Sequence, residues 1–121
     1  DGDYEQFCEL IDVQSYIDYM VINVYLCNMD ITENKNYRAW RTTEKTDNLY
    51  GDGRVRWLLY DMDCPDWYGW DKYIIDSFAE KGQHIQMPMN QHTVYKALKA
   101  NEEFCKEFIS GIKRNRIKIC V

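Results

Sequence analysis

Two aspartates separated by one residue, Asp61 and Asp63, follow the strand-like apolar run Arg54 to Tyr60. Side chains two positions apart on a strand point to the same face, so both carboxylates converge at the end of this run. Two like charges held this close repel each other unless a cation lies between them. A hard divalent cation such as Mg²⁺ takes oxygen ligands and often carries a phosphate. The pair therefore indicates a magnesium site, and the alternative is an acidic turn after a strand.

Two more oxygen-bearing side chains precede this pair in the sequence. Asp30 lies in the polar segment after a long helical pattern, and Asn36 precedes a second strand-like run, Tyr37 to Thr42. A β-hairpin formed by the two runs brings its ends together, which places Asn36 near the aspartate pair. Asn34 is the alternative to Asn36 for the same role. The predicted site therefore combines a loop aspartate, an asparagine and an Asp-x-Asp pair.

Periodicity predicts the elements that position these residues. Asp12 is suited to cap a helix, and apolar residues recur after it at spacings of three and four, which is typical of an amphipathic helix. A shorter helical turn precedes this helix, and Thr93 and Asn101 are expected to cap two closing helices. The fold class is therefore α+β, with a mainly helical C-terminal part. A hairpin is not stable alone, so it is expected to pack on the long helix, on the face of Val13, Ile17, Met20 and Val24.

The composition limits the function classes. A chain of 121 residues is one domain or a piece of one, and its net charge is -5. Without a broad basic face, nucleic acid is not expected as a partner. No apolar run reaches the roughly 18 residues of a membrane span, so no transmembrane segment is predicted. The five cysteines include no Cys-x-x-Cys pair, so no zinc site is indicated.

Four motifs in order resemble the CotH-type spore coat protein kinases, which are atypical kinase-fold enzymes. They lie within roughly residues 10 to 110, and the third is followed by an aromatic-Gly step similar to the family's. The motifs are Asn28-Met-Asp30, Asn36-Tyr-Arg-Ala-Trp40-Arg41, Arg56-Trp-Leu-Leu-Tyr-Asp61-Met-Asp63, and the helical segment Val94 to Ile109.

This resemblance implies a partial kinase-like fold, the C-terminal lobe, with roles for the polar residues already singled out. Asp30 would be the catalytic-loop residue, and Asn36, Asp61 and Asp63 would be metal ligands. The implied cofactors are Mg²⁺ and ATP, and the implied partner is a protein substrate whose Ser/Thr hydroxyls receive the phosphate. An extracytoplasmic, spore or cell-surface location is also implied.

The nucleotide-covering lobe of such kinases has no counterpart in the sequence, because neither a Gly-rich loop nor a suitably placed strand Lys is found. No nucleotide-binding residue is named for that reason. Residues 1–121 are therefore expected to be a single domain or the metal-binding half of a larger kinase domain, inactive in isolation. Two alternatives stay open. One is a metal-dependent glycosyltransferase, which also uses Asp-x-Asp after an apolar strand, and the other is a non-catalytic surface or structural module.

Overall fold

The computed structural model describes residues 2–25, 28, 36–62 and 93–119. Within them, two helices precede a two-stranded antiparallel hairpin and two helices follow it, which confirms the α+β class. None of the described helices is both long and apolar enough to cross a membrane. The helices are α1 (Gly2–Leu10), α2 (Val13–Tyr25), α3 (Thr93–Leu98) and α4 (Glu102–Ile119), and the strands are β1 (Arg38–Trp40) and β2 (Arg56–Leu58).

Two helices begin at the caps that the sequence predicts. The backbone N–H of Ser15 donates to Asp12 Oδ1 at 3.1 Å, and that of Phe104 donates to Asn101 Oδ1 at 2.9 Å. Each bond satisfies one of the four backbone N–H groups that a helix leaves unpaired at its start. The start of α2, and with it the register of its buried face, is therefore fixed by Asp12.

The hairpin is shorter than predicted, and backbone hydrogen bonds explain why. Arg38 pairs with Leu58 and Trp40 with Arg56, but the ladder extends no further. The N–H of Arg54 donates to Asp52 Oδ1 at 2.9 Å instead of to a strand. At the other end, the left-handed backbone of Asp61 (φ 53°) ends the extended run.

A parallel bridge between Ile11 and Val55 ties the hairpin to the junction of α1 and α2. The N–H of Asp12 donates to the carbonyl of Val55, and the N–H of Val55 donates to the carbonyl of Leu10, both at 2.9 Å. The segment that joins the two helices thus acts as a short third strand beside β2. This bridge sets where the hairpin lies along α2.

The core is built around α2, on which Tyr16, Ile17 and Met20 are fully buried. Hairpin contacts fall on one side of this helix: Tyr16 packs against Trp57 with ring centroids 4.7 Å apart, and Ser15 Oγ accepts the N–H of Trp57 at 3.1 Å. The packing of hairpin on helix is confirmed, but these contacts lie beside the predicted face rather than on it. Ile17 belongs to that face, and it lies toward α4 instead.

A glycine allows α4 to lie close to α2. A Cβ atom added at Gly111 would lie 2.7 Å from Ile17 Cγ2, closer than carbon atoms approach without displacement. Phe104 and Phe108 lie on the same side of α4 as Gly111 and are buried with it. The close approach thus explains why a helix of 18 residues keeps a glycine in its interior.

Candidate functional site

The hairpin places Asn36 and Asp61 at the same end. In its register Arg38 lies opposite Leu58, and continuing outward by two residues puts Asn36 opposite Tyr60, next to Asp61. The Arg38 guanidinium lies over the Tyr60 ring, 5.5 Å from its centroid. The two segments of the hairpin therefore stay side by side beyond the pair of Arg38 and Leu58, where the ladder ends. Asn36 is buried and Asp61 is exposed. The register therefore places a residue with an amide and a residue with a carboxylate at the open end of the hairpin, and their shared role as metal ligands stays a prediction.

Both residues have a left-handed backbone, with φ of 57° at Asn36 and 53° at Asp61. No other non-glycine residue in the described part of the chain has a positive φ. This conformation is costly for most L-residues, and Asn and Asp tolerate it best because their short polar side chains bond locally. Strained backbone of this kind clusters at functional sites. The two strained residues coincide with two of the predicted ligands.

The other two predicted site residues, Asp30 and Asp63, lie outside the described residues, as does the alternative ligand Asn34. Their described neighbours are nevertheless in contact. Asn28, two residues before Asp30, donates from Nδ2 to Met62 Sδ at 3.5 Å. Met62 is the residue between Asp61 and Asp63. The residue two positions before Asp30 therefore contacts the Asp-x-Asp segment. The clustering of the four predicted site residues themselves stays a prediction.

Asn28 belongs to a buried amide chain that sequence reasoning missed. Asn28 Nδ2 also donates to Asn23 Oδ1 at 3.0 Å, and Asn23 Nδ2 donates to the carbonyl of Tyr19 at 2.8 Å. The side chains of Asn23 and Asn28 are 0% and 2% exposed. The signal that was available is the position of Asn23, which is three residues after Met20 on the apolar face of α2.

A second polar cluster, at the opposite end of the hairpin, fastens it to α2. Arg56 is only 5% exposed and donates to Asp12 Oδ2 at 3.0 Å and to both oxygens of Asp52 at 2.9 and 2.7 Å. Its guanidinium lies over the Tyr50 ring, 5.2 Å from the centroid. Hydrogen bonding from Arg56 holds the pKa of the Asp52 carboxyl well below its ordinary range. We call Arg56, Asp12 and Asp52 the arginine latch.

Aromatic rings fill the space between the latch and the open end of the hairpin. Trp57 packs between Tyr16 and Tyr37, and Tyr37 meets Tyr19 edge-to-face with centroids 5.8 Å apart. Burial raises the pKa of the Tyr16 and Tyr19 hydroxyls far above the ordinary value, so neither ionises near neutral pH. These tyrosines therefore stay protonated, and the contacts described for them are those of packing.

The donor chemistry at the open end of the hairpin suits a hard cation. The side chain of Asp61 supplies carboxylate oxygens and that of Asn36 an amide oxygen, and Mg²⁺ prefers oxygen ligands. Among the described residues, no group of three or more His, Cys, Asp or Glu side chains could hold a metal ion. Asp30 and Asp63 are not among these residues. The residues present fit Mg²⁺ by chemical type.

Comparison with known proteins gives one result. A family model described as CotH kinase protein matches residues 2–118, nearly the whole chain. No curated protein and no solved structure matches the chain. The match covers the six described elements except the last residue of α4, and it includes the hairpin and both polar clusters.

Proposed function

The chain belongs to the CotH kinase family, and from that premise we propose that it forms the catalytic and metal-binding part of a protein kinase. The reaction proposed is transfer of phosphate from ATP to Ser/Thr hydroxyls of a protein exposed at a spore or cell surface. The observation that carries the proposal is the open end of the hairpin, where Asn36 and Asp61 share a strained left-handed backbone. Family membership supports a kinase-like chemistry, and this geometry supports the proposal that the open end of the hairpin carries it.

Each polar residue has a proposed role. Asp30 accepts the proton of the acceptor hydroxyl, and Asn36, Asp61 and Asp63 hold the metal. When bound, Mg²⁺ neutralises the charge that develops on the transferred phosphoryl group. Asn36 is buried beside the hairpin, so its amide is held in place before any ligand arrives. Prearranged donors act without reorganisation during the reaction, which is the main source of rate in phosphoryl transfer.

We propose further that residues 1–121 are the metal-binding half of a larger kinase domain, equivalent to a kinase C-terminal lobe. The absence of a Gly-rich loop and of a strand Lys from the sequence supports this. Phosphate-holding groups would then come from a lobe encoded elsewhere in the parent protein. The 121-residue chain alone is expected to show no turnover, and tight ATP binding by it would contradict this part of the proposal.

A glycosyltransferase is not favoured by the described residues. Such an enzyme places its Asp-x-Asp after a strand of a βαβ nucleotide-sugar unit. Here β2 belongs to an antiparallel hairpin, paired with the strand directly before it in the described chain. A non-catalytic module stays the alternative that experiment has to separate from the kinase.

The deciding experiment replaces Asp63 by Ala in the parent protein and follows phosphate incorporation from radiolabelled ATP into protein. We expect loss of at least about a hundredfold in rate, because removing one electrostatic contact to a developing charge typically costs 10²–10³ in kcat. Thermal unfolding should barely change, since the role proposed for Asp63 is to hold a metal ion rather than to support the fold.

The matched control is Asp47→Ala, which removes an exposed aspartate from the connection between β1 and β2. This variant should keep full activity. Equal activity of the Asp63→Ala and wild-type proteins would remove Asp63 from the mechanism. A parent protein without any phosphate transfer would favour the non-catalytic module.

A further inference from the structure

The end of α2 carries a chain of hydrogen bonds that leads to the Asp-x-Asp segment. It runs from the carbonyl of Tyr19 through the Asn23 amide and the Asn28 amide to the sulfur of Met62, with donor–acceptor distances of 2.8, 3.0 and 3.5 Å. The backbone N–H of Asn28 also donates to the carbonyl of Asn23 at 2.9 Å. We call Asn23, Asn28 and Met62 the amide relay.

Every amide hydrogen of Asn28 is used in this arrangement. An Asn side chain has two N–H donors, and here one goes to Asn23 Oδ1 and the other to Met62 Sδ. Both amides are buried, so a displaced partner would leave a polar group without water to replace it. Breaking this arrangement is therefore costly, so the relay ties Met62 to the end of α2.

From this geometry we propose that the amide relay positions Met62, and with it the neighbouring Asp61, against the end of α2, so that the Asp61 carboxylate is held ready for a metal. Asn23 and Asn28 are positioning residues and do not contact the ligand. The role of Asp61 in this inference rests on the proposed function, whereas the fixing of Met62 does not. If Asp61 is held in place before a ligand binds, binding does not have to order it, and less conformational entropy is lost on binding.

The place of the relay in the chain suits this role. Asn28 lies two residues before Asp30 and is anchored in the most buried helix, and Met62 lies between the two aspartates. The N–H to sulfur bond joins residues 34 apart in sequence. A single amide thus connects Asn28, two residues before the proposed catalytic aspartate, to Met62, next to the proposed metal ligand Asp61.

The test uses the methyl group of Met62 as a probe in the full chain labelled with ¹³C-methyl methionine. The Met62 signal is identified by its loss in Met62→Leu, and fully buried Met20 serves as the internal reference. We expect Asn28→Ala to lower the order parameter of the Met62 methyl and to leave that of Met20 unchanged. The Mn²⁺ concentration that broadens the Met62 signal by half should rise about five- to tenfold, since each lost hydrogen bond is worth about a factor of five.

The matched control is Asn101→Ala, the same substitution at the cap of α4. It should lower the melting temperature through the lost cap and change neither the Met62 methyl nor the Mn²⁺ concentration. An unchanged Met62 order parameter in Asn28→Ala would overturn the relay. So would an equal effect of Asn101→Ala on that methyl.

A second pair of variants covers the case in which Asn28→Ala does not fold. Met62→Leu keeps an apolar side chain of similar size but removes the sulfur acceptor, and Met62→Gln offers an oxygen acceptor on a chain of similar length. Because these variants lack the Met62 methyl, Mn²⁺ binding is followed by the electron paramagnetic resonance signal of the free ion in all three proteins. It should weaken about fivefold in Met62→Leu, the value of one hydrogen bond, and recover in Met62→Gln. Equal binding by both variants and the wild type would overturn the proposal.

Failure of the relay and failure of the proposed function give different results. In an active parent protein, Asn28→Ala should raise the Mg²⁺ concentration needed for half-maximal rate and leave KM for the protein substrate unchanged. A parent without phosphate transfer, in which the Met62 methyl still loosens in Asn28→Ala, would reject the kinase and retain the relay. A kinase whose Mg²⁺ dependence and Met62 methyl are both unaffected by Asn28→Ala would retain the kinase and reject the relay.

Discussion

At the scale of single residues, the candidate site combines side chains that sequence reasoning selected with others that it missed. Asn36 and Asp61 were selected because carboxylates and amides at the ends of a hairpin suit Mg²⁺. The hydrogen-bonding roles of Asn23, within α2, and of Asn28, just after it, were missed because neither residue has a visible partner until the helix and the hairpin are placed together. The bond from Asn28 to Met62 depends on tertiary structure, which no local pattern encodes.

Backbone strain at Asp61 gives a prediction that separates conformation from side-chain contacts. Asp61→Gly and Asp61→Ala both remove the carboxylate, but only Gly adopts a φ of 53° without cost. The Gly variant should therefore be more stable than the Ala variant by about 1 kcal/mol, the lower end of the cost of left-handed backbone. Urea unfolding measures the difference, and equal stability would mean that the backbone at Asp61 is unstrained or relaxes freely.

At the scale of elements, the hairpin is held to α2 by the arginine latch at one end and by the amide relay at the other. The helix caps were predictable because Asp12 and Asn101 accept from N–H groups only three residues away. The antiparallel hairpin was predictable because two strand-like runs follow each other in the sequence. The second role of Asp12 was not predictable. Its Oδ2 accepts from Arg56, which lies 44 residues further along the chain.

The latch predicts a pH dependence of stability. Arg56 lowers the pKa of Asp52 in the folded state, so the unfolded chain binds more protons near the ordinary carboxyl pKa of about 3.9. The contribution of Asp52 is therefore complete above that pH and is lost as the pH falls below it. Asp52→Asn should lower the urea midpoint at pH 7, and its difference from the wild type should shrink between about pH 5 and pH 2.

The control for the latch is Asp47→Asn, at an exposed position of the same connection. Its urea midpoint should follow that of the wild type at every pH. A constant difference between Asp52→Asn and the wild type across the acid range would show that the ion pair with Arg56 does not contribute to stability.

At the scale of the whole molecule, α2 is the shared support, with α4 on one side and the hairpin on the other. The sequence predicted the apolar stripe of α4 only in part. Apolar spacing predicts a stripe of Phe104, Cys105, Phe108, Ile109 and Ile112. However, Ile109 is 52% exposed, whereas Gly111 is buried against Ile17. The buried face of α4 differs from the predicted one because α4 lies close to α2 at Gly111, which has no side chain. A pattern of apolar residues does not identify a glycine as a buried position.

This close approach predicts the effect of adding one methyl group. Gly111→Ala places its Cβ 2.7 Å from Ile17 Cγ2, on a fully buried side chain that has no room to move. Overpacking costs about 1–3 kcal/mol, and the gain in helix propensity returns about 1 kcal/mol. We expect a net loss of about 1 kcal/mol in the free energy of unfolding. Ser110→Ala, on the exposed side of α4, should cause no loss, and a Gly111→Ala variant as stable as Ser110→Ala would show that the two helices separate at little cost.

The bridge between Ile11 and Val55 has a consequence for how the chain folds. It pairs two segments from distant parts of the sequence, and closing so long a loop costs conformational entropy before any contact repays it. A two-stranded hairpin is not stable alone, so its local turn cannot nucleate the site independently. The helical pair has to provide a template against which β2 settles. Assembly of the open end of the hairpin is therefore governed by long-range loop closure, which makes it a late event in the folding pathway.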